Sequence, residues 1–194
     1  MIIAHRINRI EQLEKTPVRF GVEVDVRSSG RDLILRHDPG ANGVRLADYL
    51  RRYRHRFLVA NVKCDGIEIE TIRLLRRHRV RDFFLVDLAM PAIVRLAAAG
   101  ERRFAARLSE FESAESVAAL RGKAEWVWID AFTRWPAFGP RVRRALRGYR
   151  RCLVSPELHG RAVDLRTARL LLNKYGAVAV CTDVPELWEG AGLP

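Results

Sequence analysis

Apolar, strand-like runs alternate with helical patterns along this chain. Strands are predicted at residues 2–5, 21–27, 57–63, 83–88, 103–109, 125–131, 151–155 and 177–182, with a hairpin partner at 33–37. Helices are predicted near 44–55, 67–78, 90–99, 113–121, 140–149 and 162–175. Strands that alternate with helices indicate a parallel sheet, and eight such strands are the number that closes a TIM-type barrel. The pattern predicts an α/β fold, a compact (β/α)8 barrel, with an open α/β sheet as the alternative.

The chain length sets a tight limit on such a barrel. Barrels of this type contain roughly 200 residues or more, and this chain has 194. We therefore predict minimal loops and one domain over residues 1–194, since no linker rich in Gly, Ser or Pro and no internal repeat divides the chain.

The formal net charge of +12 comes mainly from arginine, because only four of the 35 basic residues are lysine. Arginines cluster at 51–56, 76–81 and 141–151. These clusters fall on separate predicted helices without interleaved aromatic residues, which is typical of solvated helix faces. A basic surface also attracts an anionic substrate. A small phosphodiester is the predicted partner, and nucleic acid stays open as a less favoured one.

Cysteine usage and hydropathy indicate the expected compartment. Three cysteines, an odd number without a pattern, argue against a disulfide framework. No run reaches the roughly 20 apolar residues that span a bilayer, and the first residues lack the order of a secretory signal. We expect a cytoplasmic protein without a transmembrane segment. The sequence does not indicate an oligomeric state.

One segment, GVEVDVRSSGRDLILRHDP at 21–39, concentrates chemistry on a predicted hairpin. Alternate side chains of a strand share a face, so Glu23, Asp25 and Arg27 are expected on one side. Two carboxylates on one face repel each other unless a cation or a shared proton lies between them. The second strand ends at His37. The segment predicts half of a site for a hard cation, with a histidine beside it.

The start of the chain, IIAHRIN, adds a strand that ends at His5 and Arg6. A strand ending in His, a strand with Glu-x-Asp and a strand ending in His-Asp together resemble the glycerophosphodiester phosphodiesterase family. Its superfamily includes bacterial phosphatidylinositol-specific phospholipases C and sphingomyelinases D, all on TIM-type barrels. The resemblance continues at 59–66, VANVKCDG, where relatives carry acid-x-Lys. It returns at 178–187, VAVCTDVPEL, which is similar to the family's last strand and its Thr-Asp-x-Pro ending.

The resemblance implies a metal-dependent phosphodiesterase in which His5 and His37 act as general acid and base. It implies one divalent cation, Mg²⁺ or Ca²⁺, held by Glu23, Asp25 and Asn61. It also implies attack by a hydroxyl within the substrate, giving a cyclic phosphate. Barrel enzymes carry their reactive groups at the C-terminal ends of strands. From that position and the family pattern we predict the substrate-binding residues Arg6, Arg27, Lys63, Arg107, Asp130 and Glu157.

The chain departs from the family pattern at three points. No Glu-Asn-Thr element follows His5-Arg6, although Asn8 or Glu11 is a candidate substitute. Asn61 stands where relatives carry a metal carboxylate, so Asp87 or Asp130 is a candidate to complete the site. The insertion that caps the substrate is nearly absent, which leaves the alcohol unidentified. His159 is interpreted as a loop residue.

Two further functions stay open, namely a non-catalytic phosphate or polyanion binder and a sugar-phosphate isomerase or lyase.

Overall fold

The computed structural model describes residues 1–40 and 42–193. The chain forms two compact units. The N-terminal unit comprises residues 4–100, and the C-terminal unit comprises residues 1–3 together with the chain from residue 101 onward. The first strand, β1 (Ile2–Ala4), therefore begins in one unit and ends in the other.

The N-terminal unit continues with α1 (Ile10–Lys15), β2 (Gly21–Ser29), β3 (Asp32–Leu35), β4 (Val44–Arg45), α2 (Leu46–Arg52), β5 (Leu58–Val62), α3 (Glu68–Arg77), β6 (Phe83–Val86) and α4 (Met90–Ala98). Strands β2, β5 and β6 pair in parallel, whereas β3 pairs antiparallel with β2 and β4 with β3. Gly30 has φ of +59° in the tight β2–β3 turn, a conformation that glycine adopts without steric cost.

The C-terminal unit consists of β7 (Ala105–Leu108), α5 (Ala114–Ala119), β8 (Trp126–Ile129), α6 (Pro140–Ala145), β9 (Arg150–Val154), a 3-10 turn (Pro156–His159), α7 (Leu165–Tyr175), β10 (Ala179–Thr182) and α8 (Pro185–Gly190). Strands β7 to β10 pair in parallel in sequence order. Ser113 and Asp164 cap α5 and α7 by accepting hydrogen bonds from the Ser116 and Thr167 amides.

Strand burial explains why the sequence shows apolar runs rather than strict alternation. Every residue of β6, β8 and β10 is buried, as are Gly21–Val26 of β2. Strands covered on both faces are typical of parallel sheets flanked by helices. The two carboxylates of β2 are therefore buried inside an otherwise apolar strand.

All eight predicted strands, the hairpin strand and the six predicted helices are present, with ends that shift by a few residues. The region 44–55 differs most, since it starts with the short strand β4 and its helix ends at Arg52. Helices α1 and α8 and the 3-10 turn were not predicted. Within the described residues no helix has the length and apolar character that crossing a bilayer requires. The single domain stays a prediction.

Candidate functional site

Two carboxylates of β2 form the centre of a polar cluster in the N-terminal unit. Glu23 and Asp25 are 1% and 0% exposed. Asp25 lies opposite Asn61 of the parallel strand β5, so the two side chains are cross-strand neighbours. Three oxygens of this group, Glu23 Oε1, Asp25 Oδ1 and Asn61 Oδ1, are buried and accept no hydrogen bond among the described residues, and only Asp25 Oδ1 has a charged neighbour, the Lys63 ammonium at 3.4 Å. Buried acceptors without donors are costly, which indicates a site built for a positively charged group.

Burial and mutual repulsion also change the acidity of this pair. Removal from water raises the pKa of Glu23 to about 7, and the neighbouring Asp25 charge adds to the shift. The Arg6 amide, the Asn61 side chain and the Lys63 charge act in the opposite direction but do not outweigh burial. A second positive charge near Glu23 would therefore favour its ionised form.

The segment after β1 is held against β2 by several hydrogen bonds. Arg6 has φ of +50°, and this left-handed turn directs its backbone N–H to Glu23 Oε2 at 2.8 Å. The Ile7 amide donates to the Glu23 carbonyl at 2.9 Å. Asn8 makes a two-way contact, in which its Nδ2 donates to Asp25 Oδ2 and its Oδ1 accepts from the Asp25 amide, both at 2.8 Å. These contacts hold the chain that directly follows His5 against β2.

His37 has a defined tautomer. The Arg6 guanidinium lies 2.5 Å from Nε2, and because arginine only donates, Nε2 is the acceptor. Nδ1 then carries the proton and donates it to Asp38 Oδ1 at 2.8 Å. The same contact explains why the pKa of Asp38 is lowered, since its first cause is the hydrogen bond from His37. The ring is thus oriented with Nε2 toward Arg6 and Nδ1 toward Asp38.

Arg27 binds backbone carbonyls. Its Nε and one terminal nitrogen donate to the His37 carbonyl at 3.0 and 2.8 Å, and its other terminal nitrogen donates to the Lys63 carbonyl at 3.0 Å. These bonds fix the ends of β3 and β5 in relation to β2. Its predicted role in substrate binding stays a prediction.

We expect Arg27→Lys to lower the free energy of unfolding by roughly 2–3 kcal/mol, because an ammonium cannot bridge both carbonyls and leaves one without its charged donor. Urea denaturation measures the change. The matched control is Arg31→Lys, an exposed arginine of the β2–β3 turn, with an expected change within about 0.5 kcal/mol. Equal stability of the two variants would contradict the bridging role.

Lys63 links the carboxylate pair to a third acid. Its Nζ lies 3.4 Å from Asp25 Oδ1 and 3.3 Å from Asp87 Oδ2. Asp87 follows β6 with φ of +63°, in the left-handed region that Asp adopts more readily than most residue types. Lys63 therefore neutralises part of the charge that Glu23 and Asp25 concentrate.

The donor set fits a hard divalent cation only in part. Oxygen ligands suit Mg²⁺ and Ca²⁺, and Mg²⁺ commonly takes one or two carboxylates while it keeps several waters. Glu23, Asp25 and Asn61 offer two carboxylates and one amide oxygen without donors. No group of three His, Cys, Asp or Glu residues suited to a metal occurs in residues 1–40 and 42–193. Asn8, a candidate substitute ligand, is bound to Asp25 instead.

The C-terminal unit holds a second polar cluster. Arg107 donates to Asp130 Oδ2 at 2.8 Å, and His159 Nε2 lies 2.7 Å from Asp130 Oδ1. The ring of Phe132 packs edge-on against His159 with centroids 5.1 Å apart. The sequence analysis identified Arg107 and Asp130 as residues at strand ends without predicting their contact, and it interpreted His159 as a loop residue.

Glu157 joins the ends of two strands in the same unit. One of its oxygens accepts from Ser155, the residue after β9, and the other accepts from the Thr182 hydroxyl and, at 3.1 Å, from the Asp183 amide. Ser155 in turn accepts from the Trp188 indole at 3.0 Å. Both oxygens of Glu157 thus already have donors within the protein.

Comparisons with known proteins show the fold. A glycerophosphodiester phosphodiesterase from Agrobacterium tumefaciens matches with a TM-score of 0.69 and 20% identity over 98% of both chains. A putative glycerophosphoryl diester phosphodiesterase from the same organism matches with a TM-score of 0.70 and 13% identity over 97% of this chain and 95% of the other. A glycerophosphoryl diester phosphodiesterase from Parabacteroides distasonis matches with a TM-score of 0.65 and 15% identity over 100% of this chain and 87% of the other.

No family model matches the chain, and no curated relative matches it. The structural likeness confirms the predicted α/β fold of the (β/α)8 class. It also confirms, for the fold, the resemblance to glycerophosphodiester phosphodiesterases that the motifs at residues 3–39 indicated.

Proposed function

We propose that this protein is a phosphoric diester hydrolase of the glycerophosphodiester phosphodiesterase type, acting on a small phosphodiester in the cytoplasm. The observation that carries the proposal is the set of buried acceptors without donors on Glu23, Asp25 and Asn61, beside the Arg6–His37 pair. Acidic oxygens for a cation, a guanidinium for phosphate and an imidazole for proton transfer are the groups that phosphodiester cleavage needs. The solved structures of the same fold bear the name of that activity.

His37 is assigned as the general base. Its Nε2 lone pair is directed at the Arg6 guanidinium, where the anionic phosphate would be drawn, and Asp38 holds the proton on Nδ1. Substrate phosphate would take over the Arg6 contact and leave Nε2 free to accept the proton of the attacking hydroxyl. His5 is assigned as the general acid that protonates the leaving oxygen. A hydroxyl of the substrate is the proposed nucleophile, so a cyclic phosphate is the first product.

Glu23, Asp25 and Asn61 would hold one divalent cation, Mg²⁺ or Ca²⁺. When bound, the cation supplies neutralisation of the charge that develops on the phosphoryl oxygens. Arg6 and Lys63 are proposed to contact the same oxygens, with arginine as a two-pronged donor and lysine as a point charge. Arg27 would orient His37 and Lys63 through their carbonyls.

Arg107, Asp130 and Glu157 are proposed to contact the alcohol portions of the substrate. Arg107 lies against both Asp130 and Glu112, which hold its guanidinium at the end of β7. Asp130 orients His159, which adds a further polar group for substrate hydroxyls. Glu157 would act mainly by fixing the loop after β9.

The test is hydrolysis of bis(p-nitrophenyl) phosphate and a panel of glycerophosphodiesters with Mg²⁺, Ca²⁺ or EDTA. Metal-dependent turnover that is lost in Asp25→Asn is expected, because the variant removes a charge from the proposed cation site. Tight binding of phosphate esters without turnover of any diester would instead support a non-catalytic binder. Conversion of sugar phosphates without metal would support an isomerase or lyase.

A further inference from the structure

A polar groove of about 770 Å³ opens beside His37 in the N-terminal unit. Arg6 and His37 form one end of it, and the rest is lined mainly by residues of α1 and of the segments around β3 and β4. The polar lining beyond the catalytic pair comprises Asn8, Arg9, Glu11, Gln12, Arg36, Asp38 and Asn42. Pockets of roughly 300–1,000 Å³ hold drug-sized or cofactor-sized ligands, so the groove has far more room than a glycerol unit fills.

Arg36 is fixed in the wall of this groove. Its Nε donates to the Asp38 carbonyl and its Nη1 to the Asn42 carbonyl, both at 3.0 Å. Gly40 allows the close packing, since a Cβ there would lie 2.8 Å from the Arg36 guanidinium carbon. The two carbonyls use two of the five N–H donors of the guanidinium. Arg36 is therefore a preordered donor rather than a freely moving surface arginine.

Arginines outnumber acids in the groove, and its lining also includes amide side chains. Three arginines (Arg6, Arg9 and Arg36) face two acids, Glu11 and Asp38, and Asp38 is bonded to His37. Gln12 accepts from the Arg9 amide through its side-chain oxygen at 3.0 Å, and its amide nitrogen is a further donor. Such a lining suits hydroxyl groups and anions.

The same lining is unsuited to a quaternary ammonium group. Recognition of choline-like cations uses the faces of aromatic rings. No aromatic side chain lines the groove among the residues that the structure describes, and its apolar side chains are Leu35 and Val44. The arginines would also repel a cation.

We propose that this groove selects the alcohol group of the substrate, and that this group is a sugar-sized polyol that carries negative charge. The inference rests on the proposed function, because it places a hydroxyl of that polyol, the proposed nucleophile, at His37 Nε2 and the remainder of the alcohol in the groove. Arg9 and Arg36 bind its anionic substituent, and Gln12 and Asn42 bind its hydroxyls. Diesters of choline are poor ligands.

The test compares glycerophosphoinositol 4-phosphate with glycerophosphocholine. Affinities are measured by calorimetry in EDTA, where binding is read without turnover, and kcat/KM is measured with Mg²⁺. We expect the anionic polyol to bind at least about tenfold more tightly than the choline diester, and Arg9→Glu to reduce this preference about fivefold.

The net charge of the protein would favour any anion, so the control must change charge elsewhere. Arg52→Glu alters an exposed arginine of α2 by the same amount and should leave the preference within about twofold of the wild type. Equal affinity for the choline diester, or equal effects of the two variants, would overturn the inference. Turnover without selectivity would overturn it and leave the proposed function intact. Selective binding without turnover would support the groove while refuting the hydrolase.

Discussion

Replacing His37 by alanine is expected to lower kcat for phosphodiester cleavage by about 10²- to 10⁴-fold, the contribution typical of a positioned general base. The Nε2 atom of the imidazole lies 2.5 Å from the Arg6 guanidinium, and Asp38 holds the opposite nitrogen at 2.8 Å. Alanine removes the proton acceptor and leaves Arg6 in place. KM should therefore change far less than kcat. Steady-state kinetics with a glycerophosphodiester and Mg²⁺ measure both constants.

His78→Ala is the matched control, because His78 follows α3 and lies outside the polar cluster. Its kcat should stay within about twofold of the wild type, since surface substitutions rarely disturb distant sites.

Asp38→Asn adds a positioning test. It keeps the shape but weakens the hold on the Nδ1 proton, so we expect the acidic limb of the pH profile, where a general base is lost by protonation, to move while KM is retained. If His37→Ala kept more than about a tenth of wild-type kcat, the base would have to be another group.

Local patterns in the sequence were enough to predict the elements that carry the site. Alternate positions on β2 placed Glu23 and Asp25 on one face, and their burial follows from a strand covered on both sides. Asn61 was predicted from a motif position, and the parallel register of β2 and β5 brings it opposite Asp25. The placement of these side chains follows because a strand fixes side-chain direction by its own geometry, and their role as cation ligands stays a prediction.

Contacts that depend on turn geometry were outside the reach of that reasoning. The positive φ of Arg6 turns its amide toward Glu23 and allows Asn8 to bind Asp25, and no residue pattern signals such a turn in an arginine. The adjacency of His37 and Asp38 in the chain was visible, but the hydrogen bond between them depends on rotamers. Sequence reasoning therefore named Asn8 as a candidate ligand, where the structure makes it a partner of the carboxylate.

Pairing across long sequence separations was also not predictable. Asp130 and His159 are brought together across 29 positions, and nothing in the sequence indicates that the 3-10 turn directs the histidine back to β8. For Glu157, the sequence identified a polar position at a strand end but not the residues that it contacts. Its substrate contact stays a prediction, and the hydrogen bonds that its oxygens accept from Ser155 and Thr182 were not foreseen. A strand end identifies a polar position but not its partner.

Raising the pH is expected to destabilise the metal-free protein through Glu23. The pKa of this carboxyl is about 7 in the folded protein against 4.5 as its ordinary value, with burial as the main cause and Asp25 as the second. At pH values below its ordinary pKa, Glu23 is protonated in both the folded and the unfolded chain, and stability is not affected. Between the two values the unfolded chain releases the proton more readily. Above the pKa of the folded protein the loss of stability is complete and amounts to roughly 3 kcal/mol.

Glu23→Gln isolates this contribution, because the amide cannot ionise. In EDTA, the free energy of unfolding of the variant relative to the wild type should rise by roughly 3 kcal/mol between about pH 4.5 and about pH 8. Urea denaturation at both pH values measures the difference. Glu14→Gln, an exposed position of α1, is the control and should show a nearly constant difference from the wild type. A constant difference for Glu23→Gln would refute the assignment.

Binding of a divalent cation is expected to offset the loss of stability that ionisation of Glu23 causes. An ion that binds only the folded protein stabilises it in proportion to its occupancy, and ionised carboxylates are the form that it binds. Excess MgCl2 or CaCl2 should therefore raise the Tm of the wild type clearly at about pH 8 and little at about pH 5. Glu23→Gln should lose most of that gain because one of the two carboxylates is absent. An equal gain in wild type and variant would place the cation elsewhere, and the unbonded oxygens of Glu23, Asp25 and Asn61 would need another explanation.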